Sequence, residues 1–424
     1  MKRKGKVFFD LDGTLLCSHI HIGHALRRVC EELGYAKIPD SAVIKQIGAT
    51  SEEFCKALAP DEKVRDRFAT LFRQYERQAV CEHAALYPGV RELLSELQDL
   101  GWELAICSSG SVEYIETALK GGQIQGFFSS IVSAREYGGK AEALRENLEV
   151  GIPTVVVGDR ALDFMAAANM QVPSIGVEYG YGTEEEWDQA TWTAKAPAEI
   201  GDILCQAQVF YTVEERLEMA HGRCVGVNGV DTAGKTIFAQ RLAAFLKSRG
   251  KKVELIHLDD FHNPRQKRLT GKDEREAYIK NAFDLDRLNR SILLPLREAG
   301  EVHTSLTLLD LDSDTYSIQR QYDIDADTYV ILEGVLLYRP PLEANIDYKV
   351  YLDIDFDEVL RRAEIRDVPQ YGRGFLQKYR EKYIPIQQWY IETYRPHDMA
   401  DLVVVNQNYR RPVILEQEKE EQEK

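Results

Sequence analysis

Two short runs in this 424-residue chain hold residue types that can handle phosphate. VFFDLDGTLL places Asp10 and Asp12 two apart at the end of an apolar run. On a strand both carboxylates can point the same way, and Gly13 permits a sharp turn after them. The position just past the carboxyl end of a parallel strand is where open α/β sheets bind ligands. Asp-Gly is also common in plain surface turns, so the run gains weight from three segments later in the chain. ELAICSSG ends an apolar run at Ser108, a hydroxyl donor. GGKAEAL offers Lys140 in a loop or at a helix start. TVVVGDRALD ends at Asp159, with Asp163 four residues later. On a helical turn, positions i and i+4 share a face, so these two acids can approach one metal ion.

The second run is GVDTAGKT, from Gly229 to Thr236. It fits G-x-x-x-x-G-K-[ST], with an apolar strand candidate before it and an apolar-faced helix candidate after it. Backbone N–H groups of Gly229, Asp231, Thr232, Ala233 and Gly234 would cradle phosphates at a helix N-terminus. Lys235 would reach the β- and γ-phosphates of ATP or GTP, and Thr236 would ligate Mg²⁺. Further on, VELIHLDDFHNP carries Asp259 and Asp260, and VILEGVLLY carries Glu333. VLRRAEIRDVPQYGRGFLQ gathers Arg361, Arg362, Arg366 and Arg373. Arginine clusters neutralise transferring phosphate, although the interleaved Glu358, Glu364 and Asp367 also suit a solvated helix.

The elements that must position these residues alternate between strand and helix. Strand candidates in the first half are 7–9, 103–107, 130–133, 154–157 and 174–177; in the second they are 224–227, 253–258, 329–332, 349–352 and 402–405. Such alternation predicts parallel sheets with helices on both faces. A long helical stretch without strand-like runs separates the first two strands and reads as an inserted cap over about residues 17–85. The expected organisation is one α/β domain over 1–205, a linker over 206–221, a second α/β domain over 222–412 and a charged tail over 413–424.

The first ordered set resembles the haloacid dehalogenase-like phosphatases. YPGVRELLSEL and IGVEYGYG look like the phosphoglycolate-phosphatase-like members. The resemblance implies a Rossmann-like core with a helical cap. It makes Asp10 a nucleophile that forms an aspartyl-phosphate and Asp12 the acid and base. Ser108 and Lys140 would hold the phosphoryl oxygens. Asp10, the Asp12 carbonyl and Asp159 would bind Mg²⁺, with Asp163 close by.

The second set resembles the uridine kinase-like group of P-loop kinases, which includes uridine-cytidine, nicotinamide riboside and phosphoribulo-kinases. The resemblance makes Asp259 the catalytic acid and sets Glu333 beside Mg²⁺ or the substrate hydroxyl. Arg366 and Arg373 would lie in a mobile lid, with Arg362 near the nucleotide. Asn281, in NAFDLDRL, stands where uridine kinases usually have Asp, and Asp260 is a further candidate for substrate contact. The joint implication is a bifunctional enzyme: a phosphatase, and a kinase acting on a nucleoside-like or sugar-like hydroxyl compound.

Composition bounds the alternatives. Residues 1–210 hold 21 Lys+Arg against 31 Asp+Glu, and the remainder 32 against 38, within a total net charge of −16. Affinity for a nucleic-acid backbone comes largely from Lys and Arg. The balance therefore disfavours nucleic acid as a partner and, with it, a polynucleotide kinase-phosphatase, the alternative reading. No run approaches the ~20 apolar residues that cross a bilayer, so a cytoplasmic protein with no membrane partner is expected. Self-assembly into a homo-oligomer stays open. The seven cysteines include no C-x-x-C pair, which fits free thiols. CSHIHIGHAL adds His19, His21 and His24 at the entry to the cap; a metal, a substrate contact or plain surface positions all suit them.

Overall fold

The computed structural model describes residues 4–48 and 51–415. Most of the expected charged tail, EQEKEEQEK at 416–424, lies outside them. The chain divides into two compact units, Met1–Leu204 and Cys205–Lys424.

The first unit is built on six parallel strands: β1 (Gly5–Phe9), β2 (Trp102–Ser108), β3 (Ser130–Ser133), β4 (Thr154–Gly158), β5 (Ser174–Val177) and β6 (Trp192–Ala194). Their order is β3-β2-β1-β4-β5-β6. The central strands β1 and β4 carry the unbroken apolar runs 7–9 and 155–157, as strands covered on both faces do; Val7, Phe8 and Phe9 are fully buried. The strand order reverses at β1, which lies between β2 and β4. Phe9 pairs with Ile106 on one side and Val157 on the other. Asp10, Ser108 and Asp159 therefore leave the sheet at the same edge, at the point where α/β sheets open a crevice. Trp192–Ala194 was not anticipated; three residues are too few to show a period.

The cap leaves and re-enters this core through two short paired segments. Leu16 bridges Leu86 in antiparallel fashion, Cys17 N–H donates to Ala85 O at 2.8 Å and Tyr87 N–H to Leu15 O at 3.1 Å. Between them the helices His19–Leu33 and Arg65–His83 bury a separate core that includes Ile22, Leu26, Val29, Phe68 and Phe72.

The second unit has strands β7 (Cys224–Gly229), β8 (Lys252–His257), β11 (Thr328–Gly334), β12 (Tyr348–Asp353), β13 (Leu402–Val405) and β14 (Val413–Leu415), in the order β14-β13-β12-β7-β11-β8. All pair in parallel except β14, which runs antiparallel to β13. Residues 413–415, expected at the start of the tail, thus belong to the sheet. The order reverses at β7, between β12 and β11. An antiparallel hairpin, β9 (Val302–Asp310) and β10 (Thr315–Ile324), stands apart as a two-stranded sheet. It was not anticipated, although the alternation in TYSIQRQYDI and the turn-forming DSD are strand-and-turn signals.

Most of the expected linker is helix. Pro197–Met219 is one helix, and within the second unit Phe210 packs its ring 5.2 Å from Phe238 and 5.9 Å from Phe245. Glu214 pairs with Arg249 at 3.0 Å. Among the described residues no helix is long and apolar enough to cross a membrane.

Candidate active sites

Asp10 follows β1 and is anchored by its own N–H, which donates to Val157 O at 2.8 Å. Asp159 follows β4, and Asp163 lies in the first turn of the helix Ala161–Asn169. Carboxylate oxygens of the three acids all lie within 4.8 Å of one another, and all three are buried. Lys140 opens the helix Lys140–Asn147 and reaches between them. Its Nζ is 2.9 Å from Asp10 Oδ1 and 2.5 Å from Asp163 Oδ1. Gly13 is required at its position: its φ is +84°, and a Cβ there would meet Asp159 Oδ2 at 2.2 Å.

The electrostatics of this cluster are out of balance. Burial pushes the Asp10 and Asp163 carboxyls up against the pull of Lys140, Asp163 to about 6. Burial, then the charge of Asp10, raises Asp159 well above the usual carboxylate range. Burial alone would depress Lys140, but Asp10 and Asp163 outweigh it and hold its pKa above the ordinary lysine value. Asp159 Oδ2 accepts from Tyr181 N–H at 2.7 Å, while buried Oδ1 has no hydrogen-bond partner. Three carboxylates, one ammonium and an unpartnered oxygen suit a hard divalent cation with oxygen ligands.

Asp12 faces a cavity of about 750 Å³ between core and cap, lined also by Phe72, Glu76, Arg65, Tyr114 and Arg135. Its Oδ1 accepts hydrogen bonds from Ser18 Oγ and, at 2.7 Å, from the Tyr114 hydroxyl. Burial raises its pKa despite those two donors. Ser108 is buried at the end of β2, and its Oγ accepts from Gly110 N–H at 3.2 Å.

In the second unit the loop after β7 is braced from several elements. Asp231 N–H donates to Gln387 Oε1 at 3.0 Å, and the Thr232 hydroxyl to Val359 O at 3.2 Å. Arg362 Nη1 donates to Thr232 O at 3.1 Å, and Asn406 Nδ2 to Ala233 O at 2.6 Å. Thr232 and Gly234 take φ of +58° and +91°, the latter a conformation that favours glycine. Lys235 opens the helix Lys235–Ser248, and its Nζ turns back to Val230 O at 2.8 Å. The helix's first N–H groups have no intrahelical acceptors. Burial lowers the Lys235 pKa and raises that of Asp231. The Thr236 hydroxyl donates to Glu333 Oε1 at 3.1 Å, and His257 Nδ1 lies 2.7 Å from the same oxygen.

Residues 7–177 match the family of haloacid dehalogenase-like hydrolases, and residues 224–405 the phosphoribulokinase / uridine kinase family. The chain joins one domain of each family. Phosphoglycolate phosphatase of Colwellia psychrerythraea is 26% identical over 205 residues, covering 45% of this chain and 91% of that protein. A haloacid dehalogenase-like hydrolase from Streptococcus pneumoniae, 23% identical, covers 46% of this chain and 96% of its own, with a TM-score of 0.42. A possible uridine kinase from Bacillus stearothermophilus, 27% identical, covers 45% and 98%, with a TM-score of 0.35.

In the hydrolase domain Asp10, Lys140, Asp159 and Asp163 converge, with Asp12 and Ser108 at the same edge of the sheet. The three histidines do not converge. His19 pairs with the Tyr181 hydroxyl at 2.9 Å, His21 with that of Tyr114 at 3.0 Å, and His24 stacks on His83 at 4.1 Å. In the kinase-family domain Asp259 is exposed, while Asp260 pairs with Arg320 of the hairpin at 2.7 Å. A cavity of about 630 Å³, lined by His262, Arg268, Tyr278, Lys378, Lys382 and Tyr383, lies beside this segment. Asn281 directs its amide to Thr270 O at 2.6 Å.

The arginines divide. Arg361 and Arg362 both pair with Glu358. Arg366 pairs with Asp367 at 2.7 Å, and Arg373 is exposed. Sequence reasoning missed Tyr114, Glu76, His257, Arg320, Gln387 and Asn406. His257 sits within VELIHLDDFHNP, two residues before Asp259; the other five come from segments outside the motifs.

Proposed function

We propose that this protein is a bifunctional small-molecule enzyme. One domain hydrolyses a phosphate monoester, and the other transfers the γ-phosphate of ATP or GTP to a hydroxyl. The observation that carries this reading is that each unit gathers phosphate-handling groups where its own sheet order reverses: three acids and Lys140 after β1 and β4, and a braced phosphate loop after β7.

In the phosphatase, Asp10 attacks phosphorus and becomes an aspartyl-phosphate. As the bond to the leaving oxygen breaks, Asp12 gives that oxygen a proton; it later takes one from the water that cleaves the intermediate. Lys140 and Ser108 hold the phosphoryl oxygens and offset their developing charge. Mg²⁺ held by Asp10, the Asp12 carbonyl and Asp159, with Asp163 beside them, would allow a carboxylate to approach a phosphate dianion. The capped cavity suits a small ester and hinders a polymer.

In the kinase, the loop and Lys235 bind the nucleotide phosphates, and Thr236 with Glu333 would hold the accompanying Mg²⁺. Asp259, exposed and unencumbered by Arg320, orients the acceptor hydroxyl, with the acceptor in the cavity of Tyr278 and Tyr383. The arginines of the 366–373 segment complete the charge balance. Most of the rate enhancement then comes from positioning and electrostatics.

A paired assay tests the reading. Asp10→Asn should abolish phosphate release from a panel of small phosphate esters and leave nucleotide-dependent phosphorylation intact. Lys235→Ala should do the reverse. If neither substitution changes any phosphoryl transfer, the reading is wrong.

A further inference from the structure

Asp12 is held from one side. Ser18 and Tyr114 both donate to Oδ1, and Asp12 lines the cavity. Behind Tyr114 lies His21, 0% exposed, with Nε2 3.0 Å from the same phenol oxygen. The phenol has one proton and gives it to Asp12, so His21 must be the donor in the second bond. The imidazole is thereby fixed as the Nε2–H tautomer, with Nδ1 bare. Nδ1 is indeed buried without a hydrogen-bond partner. A buried polar atom left unpartnered is destabilising, a penalty that an apolar side chain of similar volume would avoid.

We propose that Tyr114 and His21 form a positioning relay for Asp12, fixing its carboxyl so that Oδ2 faces the leaving oxygen of the phosphate ester. The inference rests on the phosphatase reading above. The His21 N–H polarises the phenol, and the polarised O–H grips Asp12 more firmly. The three residues come from separate places: Asp12 from the turn after β1, Tyr114 from the core helix Val112–Gly121, His21 from the first cap helix. The acid is therefore aimed only when that cap helix is seated on the core. Neither relay residue exchanges a proton with the substrate. In the step itself Asp10 bonds to phosphorus, the bond from phosphorus to the leaving oxygen breaks, and the Asp12 proton moves to that oxygen.

A misaimed acid matters in proportion to the basicity of the leaving group. p-Nitrophenyl phosphate and phenyl phosphate are close in size, but p-nitrophenolate departs unaided, whereas phenolate needs the proton. In the full-length enzyme, Tyr114→Phe should lower kcat/KM for phenyl phosphate about tenfold more than for p-nitrophenyl phosphate, a modest part of the general-acid effect. His21→Leu should give the same skew, and His21→Gln, which keeps an N–H donor, should restore the ratio towards wild type. Both esters are read in one preparation, so any misfolded fraction cancels. Equal losses on the two esters, or no loss, overturns the relay. A skew from Tyr114→Phe without one from His21→Leu removes His21 from it. Asp10→Asn separates the relay from the phosphatase reading beneath it. If it spares both hydrolyses, the phosphatase reading itself fails; if it abolishes both while Tyr114→Phe lowers them equally, only the relay fails.

Discussion

Lys140 Nζ lies 2.9 Å from Asp10 Oδ1, an ammonium buried against the carboxylate proposed as nucleophile. Asp163 sits on its other side at 2.5 Å, so one cation serves two buried acids. Removing one partner of a buried ion pair leaves the other charge uncompensated, at about 3–5 kcal/mol. Lys140→Met is expected to destabilise the metal-free protein by that order in urea titration. It should also lower phosphate release by about 10²-fold or more while leaving the kinase reaction unchanged. Wild-type stability in this variant would contradict the ion-pair account.

Asp159 gives a prediction of the opposite sign. Its buried Oδ1 has no hydrogen-bond partner, and its neighbours Asp10 and Asp163 repel it. Asp159→Asn keeps an oxygen for Tyr181 N–H and cannot ionise, so it escapes the penalty that burial and the neighbouring acids place on a carboxylate here. The metal-free variant should melt above the metal-free wild type. Wild type should gain stability with added Mg²⁺, as any ligand of the native state requires, and the variant should gain little. Parallel melting curves with and without Mg²⁺ check both halves; an equal Mg²⁺ response in the two proteins would refute the site.

Glu76 projects from the cap into the cavity that Asp12 also lines. Burial, then the charge of Asp12, pushes its carboxyl up to about 8 against the pull of Arg135. The folded protein therefore keeps this proton to higher pH than the unfolded chain, whose glutamate titrates near 4.5. Where the native state binds more protons, stability falls as pH rises. The loss begins above about 4.5 and is complete above about 8. Glu76→Gln has no such titration, so its melting temperature relative to wild type should climb across that window. A difference that is flat with pH would count against it.

Arg362 and Arg366 should differ in kind. Arg362 ties Thr232 O, Asn406 O and Glu358 together behind the phosphate loop. A lysine cannot reproduce that fork. Arg362→Lys should raise KM for ATP about tenfold with kcat little changed. Arg366 is paired with Asp367, yet its charge acts on Asp231 and Lys235. Arg366→Ala should instead lower kcat by about 10²-fold, as loss of a transition-state charge partner does. Initial-rate kinetics over a range of ATP concentrations separate the two; the same pattern from both substitutions would mean that they share one role.

Ten strands were legible as apolar runs; most are covered parallel strands, which need apolar residues on both faces, whereas the edge strand β8 has only Ile256 fully buried. The short β6 and β14 and the half-exposed hairpin were not. Asp10, Asp159, Gly229 to Thr236 and Glu333 were also legible, since each directly follows or ends such a run. Asn281 and Asp260 show the limit: both lie in recognisable segments, but their side chains go to Thr270 O and Arg320.

By itself the sequence determined that the chain carries two sets of residues of types that can handle phosphate, and where along the chain each set lies. Tight turns and helix starts are set by neighbours in the chain, so their residue types and spacing betray them. Tertiary structure alone decided how each group is partnered. Asp12 meets Tyr114 from 102 residues away, Thr236 meets Glu333 from 97, and Arg362 braces Thr232 from 130. Contacts over such separations arise from strand order and helix packing, which leave no spacing rule in the chain. Burial, and with it the direction in which each acid's pKa moves, is likewise a property of the packed fold.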